Sequence, residues 1–143
     1  MSKVISVDPG RIKCGLLLAD LDQKVVLEAK VTHHSVVVDL IREWLAEGDV
    51  KRIVLGNGTT SKSWQILLRD FAPIVLVEER GSTFRSRNRY WELWPPNILW
   101  KWCPRSLMFP PKNLDAVAAL VLLEDHEKQK FSWQASKDFK ILI

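Results

Sequence analysis

"KVISVDPGRIKCGLLLADLDQKVVLEAKV", residues 3–31, is the stretch whose reading decides the fold. Apolar residues alternate through Val4, Ile5 and Val7, which predicts a strand over 3–7, and Asp8-Pro9-Gly10 reads as a turn. Two more strands follow over 14–19 and 24–31, joined by the turn "DLDQK", so the chain opens as a three-stranded meander with no helix in it. Asp8 closes the first apolar run and is expected to be half-desolvated. A carboxylate in that position is costly without a partner. Either a cation compensates it, or it hydrogen-bonds the turn that follows.

The chain then changes period. Ser35 is expected to cap a helix running to residue 46, with Val38, Ile41, Trp44 and Leu45 at helical spacing and Gly48 as its stop. A short strand over 52–55 leads into the polar loop "GNGTTSKS". A helix over 63–71 ends before Pro73, and a strand over 74–77 is closed by "EERGST". Residues 84–94 read as a helix stopped by Pro95-Pro96, and 97–111, rich in Trp and Pro, are the least readable. A last helix over 114–126 turns Ala116, Ala119, Leu120 and Leu123 inward, and the terminal "ILI" returns toward the core. The order predicts one domain over 1–143, a mixed five-stranded sheet with helices on both faces. A dinucleotide fold is excluded, because its first strand leads straight into a helix. The order is that of the RNase H-like fold.

Composition agrees with a globular α/β chain: 143 residues, 47% hydrophobic and 27% charged. The net charge of +4 and pI near 9.2 hint at a polyanion partner. Cys14 and Cys103 stand far apart, and His33, His34 and His126 form no ligand pattern, so zinc is not expected. The longest apolar run, 114–123, is about half a membrane span and contains Asp115. No secretory leader pattern opens the sequence, so a cytoplasmic protein with no membrane partner is expected.

In a sheet of this kind functional groups gather at the carboxyl ends of the strands. Asp8 lies at the end of the first strand, Glu78 and Glu79 at the end of "IVLV", and Asp115 opens the last helix. Small neighbours at Ala118 and Ala119 let that helix approach the sheet. Carboxylates that share a site repel one another unless a multivalent cation is present. An oxygen-only set suits Mg²⁺ or Mn²⁺, and two such ions about 4 Å apart can clamp both oxygens of a phosphodiester displacement. Each acid also has a plainer reading: Asp8 as a turn residue, Asp115 as a helix cap, Glu78 and Glu79 as solvated strand ends.

At these residues the sequence resembles the RuvC/YqgF family of RNase H-like nucleases, the Holliday-junction-resolvase type. "VDPGRIKCG" is similar to the family's first-strand motif, "VLVEERGST" to its Asp-Glu-Arg-x-Ser/Thr segment, and "LDAVAALVLL" to its Asp-x-x-Ala-Ala helix. The resemblance implies catalytic metal ligands at Asp8, Glu79 and Asp115, with Glu78 as the alternate to Glu79, and two bound ions of Mg²⁺ or Mn²⁺. It implies cleavage of branched DNA, for which a homodimer supplies two symmetric incisions. The loop "GNGT" is closer to that of the YqgF-like domain of Tex. Lys13 stands where YqgF proteins usually carry Arg, and Lys112 where the resolvases have a fourth acid. These departures keep a second reading open, a non-catalytic nucleic-acid-binding module or a ribosomal RNA processing factor.

Residues 79–105 hold five Arg and four Trp. Arg80, Arg85, Arg87 and Arg89 follow the second acid directly, and basic side chains there suit a phosphate backbone. Lys13, Lys62 and Lys112 complete the expected nucleic-acid contacts, with Lys62 in a hydroxyl-rich loop before a helix N-terminus. The tryptophans suit either base stacking or packing in a core or dimer contact.

Overall fold

The computed structural model describes residues 2–95, 114–134 and 140–142. Strands β1 (Lys3–Asp8), β2 (Lys13–Asp20) and β3 (Val25–His33) form the antiparallel meander expected from the sequence. Its first turn is tight enough that a Cβ at Gly10 would collide with the Lys13 carbonyl. Its second is held by Asp20, whose Oδ1 accepts from the Asp22 and Gln23 amides at 2.8 and 3.1 Å. A 3-10 turn, His34–Val36, precedes α1 (Val37–Ala46). The cap is therefore not Ser35: the His33 imidazole accepts from the Ser35 amide at 3.3 Å.

The second half alternates as expected: β4 (Val50–Gly56), α2 (Ser61–Leu68), β5 (Ile74–Val77), α3 (Ser82–Leu93) and α4 (Asp115–Glu127). The sheet order is β5-β4-β1-β2-β3, with β1, β4 and β5 parallel and β2 running against its neighbours. That order and those directions are the RNase H-like fold. The sheet is larger than the five strands expected. Strands β6 (Ser132–Trp133) and β7 (Lys140–Leu142) both pair parallel to the outer edge of β3, so Ile141 and Leu142 of the terminal "ILI" join the sheet margin. Ile143 lies outside the described residues. Strands of two and three residues carry no period of their own, which is why the sequence does not announce them.

Period-two alternation splits the sheet between two cores. Ile5, Val7, Leu16 and Leu18 face α1 and α2, packing on Ile41, Trp44, Trp64 and Leu68. Val4, Leu17, Ala19, Val26 and Val54 face the opposite way, onto Ala119, Leu120, Leu122 and Leu123 of α4. Helix α1 packs the expected Ile41 and Trp44 into the core with Val38 and Leu45 partly buried beside them, and adds Val37 and Leu40 to its buried face. Helix α4 buries every residue from Ala116 to Leu123, beyond the four expected. It lies between the sheet and α3, and a helix apolar all round needs cover on both sides. Each of its leucines contributes roughly 1.5–3 kcal/mol when taken fully out of water. Among the described residues no helix is long and apolar enough to cross a membrane.

Candidate functional site

Parity along β1 places Val4, Ser6 and Asp8 on the face toward α4. The buried Ser6 hydroxyl fixes the helix there, donating to the Ala119 carbonyl at 2.6 Å. Two residues farther along β1 is about 6.7 Å. Four residues back along α4 is about 6 Å. Asp115 is thereby carried to the neighbourhood of Asp8. Gly15, which faces Asp8 across the β1–β2 ladder, makes the approach possible, since a Cβ there would collide with the Asp115 carbonyl oxygen. Asp115 is not a helix cap: it is the first residue of α4, behind Leu114, where an acid is favoured by the helix dipole.

The same parity decides between the two glutamates. Gly56 pairs with Val77, which packs on the α4 core, so Glu79, two residues on, follows it inward. The alternate, Glu78, is excluded from the cluster. It points to solvent and pairs with Arg80 at 3.3 Å, with side-chain exposures of 70% and 90%. The Glu79 carboxylate instead lies over the glycines of the "GNG" loop. A Cβ at Gly56 would collide with its Oε1, and one at Gly58 would stand 2.7 Å from its Oε2. These glycines form the seat of an acid. Asn57 and Ser61 already donate their amides to the Val77 and Gly58 carbonyls, at 2.8 and 3.1 Å.

Asp8 and Glu79 meet within hydrogen-bonding reach, so the Asp8 carboxyl is turned to another acid. Burial, reinforced by the charges of Glu79 and Asp115, pushes the Asp8 carboxyl up to about 7. Burial also raises Glu79, a rise the hydrogen bond with Asp8 opposes. Among the described residues, Glu79 Oε1 is buried with no hydrogen-bond partner. Asp115 stands slightly apart, its Oδ2 4.0 Å from the Lys13 ammonium. The acids are arranged as a pair and a neighbour; among the described residues no three metal-binding side chains close tightly on one point. A buried oxygen unpartnered among the described residues and an all-oxygen donor set fit a hard divalent cation such as Mg²⁺ or Mn²⁺.

The basic residues divide by their partners. Arg89 is 13% exposed and grips Glu124 through Nε and Nη2, both at 2.9 Å, while Nη2 also donates to the Phe131 carbonyl. Arg85 pairs with Asp125 on the same helix. Two of the expected phosphate contacts thus hold α3 against α4 instead. Arg87 is half-buried on that helix. Lys13, Lys62 and Arg80 are exposed, and so is Arg11, which the sequence reading passed over. Arg11 borders a cleft of about 550 Å³ shared with Gly10, His34, Thr60, Ser63 and Trp64. Trp94 packs edge-on against Trp133 and beside Tyr90, with ring centroids 5.2 and 5.0 Å away, a packing role. Lys112, Cys103, Trp100 and Trp102 lie outside the described residues.

No protein-family model matches the chain, and no curated protein matches it in sequence. Among solved structures it is similar to Thermus thermophilus RuvC in complex with Holliday junction substrate, at 12% identity and a TM-score of 0.49, over 92% of this chain and 99% of that one. It is also similar to a Thermus thermophilus RuvC structure, at 13% identity and a TM-score of 0.49, over 90% of this chain and 99% of that one.

Proposed function

We propose that this chain is a divalent-metal-dependent endonuclease for structured nucleic acid, with Holliday-junction-like branched DNA as its substrate. The observation that carries the proposal is the half-buried Asp8–Glu79 pair, with a buried Glu79 oxygen that has no hydrogen-bond partner among the described residues. Two acids in contact, partly desolvated and with no arginine beside them among the described residues, are a costly arrangement for a fold to keep. Asp8 and Glu79 would hold Mg²⁺ or Mn²⁺, with Asp115 beside them. Such an ion, when bound, supplies Lewis-acid activation of a phosphodiester and of water.

The chain's own groups do the remaining work. Gly56 and Gly58 leave the space in which the Glu79 carboxylate lies, and Gly15 admits the N-terminal turn of α4 to the sheet. That turn presents the positive end of the helix dipole on the side a phosphate would enter. Exposed Arg11, Lys13, Lys62 and Arg80 are placed to hold flanking phosphates in a salt-dependent way. A pair of chains would bring two such sites to one junction.

Incubation with a four-way DNA junction, single-stranded DNA and structured RNA, with Mg²⁺, Mn²⁺ or chelator, tests the proposal. Junction cleavage that needs the metal is expected, and Asp8→Asn should abolish it while junction binding persists. Cleavage undiminished in that variant would overturn the site. The ion pair between Lys13 and Asp115 favours a second reading, a nucleic-acid-binding module or ribosomal RNA processing factor without cleavage of its own. Binding of junction or RNA with no cleavage, and no Mg²⁺ binding at millimolar concentration, would select it.

A further inference from the structure

We propose that the site takes one divalent ion and not two, because the Lys13 ammonium holds the place of a second positive centre beside Asp115. The inference rests on the reading of Asp8, Glu79 and Asp115 as a metal site, and names what limits its occupancy. Parity along β2 carries it: Lys13 lies two residues before Gly15 and four before Leu17, so it shares their face toward α4. That direction sends the ammonium to the first turn of α4, where the helix dipole disfavours a cation. The Asp115 carboxylate, 4.0 Å away, is what makes the position tenable.

The acids are divided to match. Asp8 and Glu79 touch one another, and the unpartnered buried oxygen belongs to that pair. Asp115 already has its cation. Three carboxylates and one ammonium carry two net negative charges, which a single divalent ion neutralises. A second ion would leave the site positive and would have to expel Lys13 from Asp115. The half-exposed Lys13 stem keeps its ammonium within reach of solvent, so the same group can meet a phosphate oxygen while remaining near the helix.

Titration with Mn²⁺, followed by calorimetry and by the paramagnetic resonance of free Mn²⁺, counts the ions without recourse to activity. The wild-type chain should bind one ion. Lys13→Met, checked for wild-type thermal unfolding in chelator, should bind two at millimolar Mn²⁺. Two ions in the wild type would overturn this inference and leave the nuclease reading standing. One ion in both proteins would show that Lys13 does not set the limit, and would overturn it as well. No ion in either protein would overturn the metal-site reading itself.

Discussion

The two ends of α4 treat their acids in opposite ways. At the C-terminal end every acidic residue has a cation: Glu124 has Arg89, Asp125 has Arg85, and Glu127 has Arg52 at 2.7 Å. At the N-terminal end Asp8 and Glu79 face each other with a buried oxygen that no described residue serves, and among the described residues only Asp115 has a basic neighbour. One helix, packed on one sheet, carries both. Where carboxylates serve the fold, the chain supplies arginine, and at Glu124 the guanidinium fork meets both oxygens. Where no arginine among the described residues meets the desolvated acids, the proposed metal ion would supply the missing charge.

The largest effect should come from breaking the served end. Arg89→Ala leaves Glu124 buried with its charge unpaired and removes the donor to the Phe131 carbonyl. Urea unfolding should show a loss of roughly 3–5 kcal/mol, with β6 released from the sheet margin. Replacing both Arg89 and Glu124 by leucine should recover much of that loss. If Arg89→Ala were neutral, the contrast between the two ends would be false.

At the unserved end the sign should reverse. Asp8→Asn removes a largely desolvated charge that no cation among the described residues meets, so the metal-free protein should gain roughly 2–4 kcal/mol at pH 8. The pH dependence follows from the same cause. A carboxyl raised to about 7 in the folded state, from about 4 unfolded, stabilises the fold only while it keeps its proton. Its contribution is full below about pH 4 and is lost as the pH climbs through 7. In chelator, wild-type stability should therefore fall from pH 5 to pH 8, and the Asp8→Asn protein should lose less across that window. A wild type more stable at pH 8 than at pH 5 would reverse the assignment.

The smallest effect should come from Arg85→Ala. This pair is about 40% exposed on both sides, and a solvent-screened pair of that kind contributes less than about 1 kcal/mol. Junction affinity should not change, because its guanidinium is turned to α4. A marked loss of DNA binding, with folding intact, would return Arg85 to the phosphate contacts.

How far the sequence foretold this arrangement depends on the range of each cause. The meander was legible because its period is carried by adjacent residues, and Asp8 and Asp115 because each stands at the boundary of a periodic run. Glu78 and Glu79 could not be told apart, since a one-residue register slip exchanges them and the register is set by β4. Arg85 and Arg89 read as free charge because their partners lie 40 and 35 residues away. Gly15 and Gly56 were visible as glycines, yet their purpose, to clear space for Asp115 and Glu79, exists only once helix and sheet are packed. The capping role of His33 was hidden for a similar reason: it depends on a 3-10 turn that no apolar period marks.

The most direct measurement is the thermal shift caused by Mn²⁺ at pH 8, in wild type and in Asp8→Asn. A divalent ion at the Asp8–Glu79 pair should raise the wild-type midpoint by roughly 5–10 °C at a hundredfold excess over its dissociation constant, and chelator should abolish the rise. The Asp8→Asn midpoint should barely move. Equal shifts in the two proteins, or no shift in the wild type, would contradict the claim that solution supplies the charge this fold withholds.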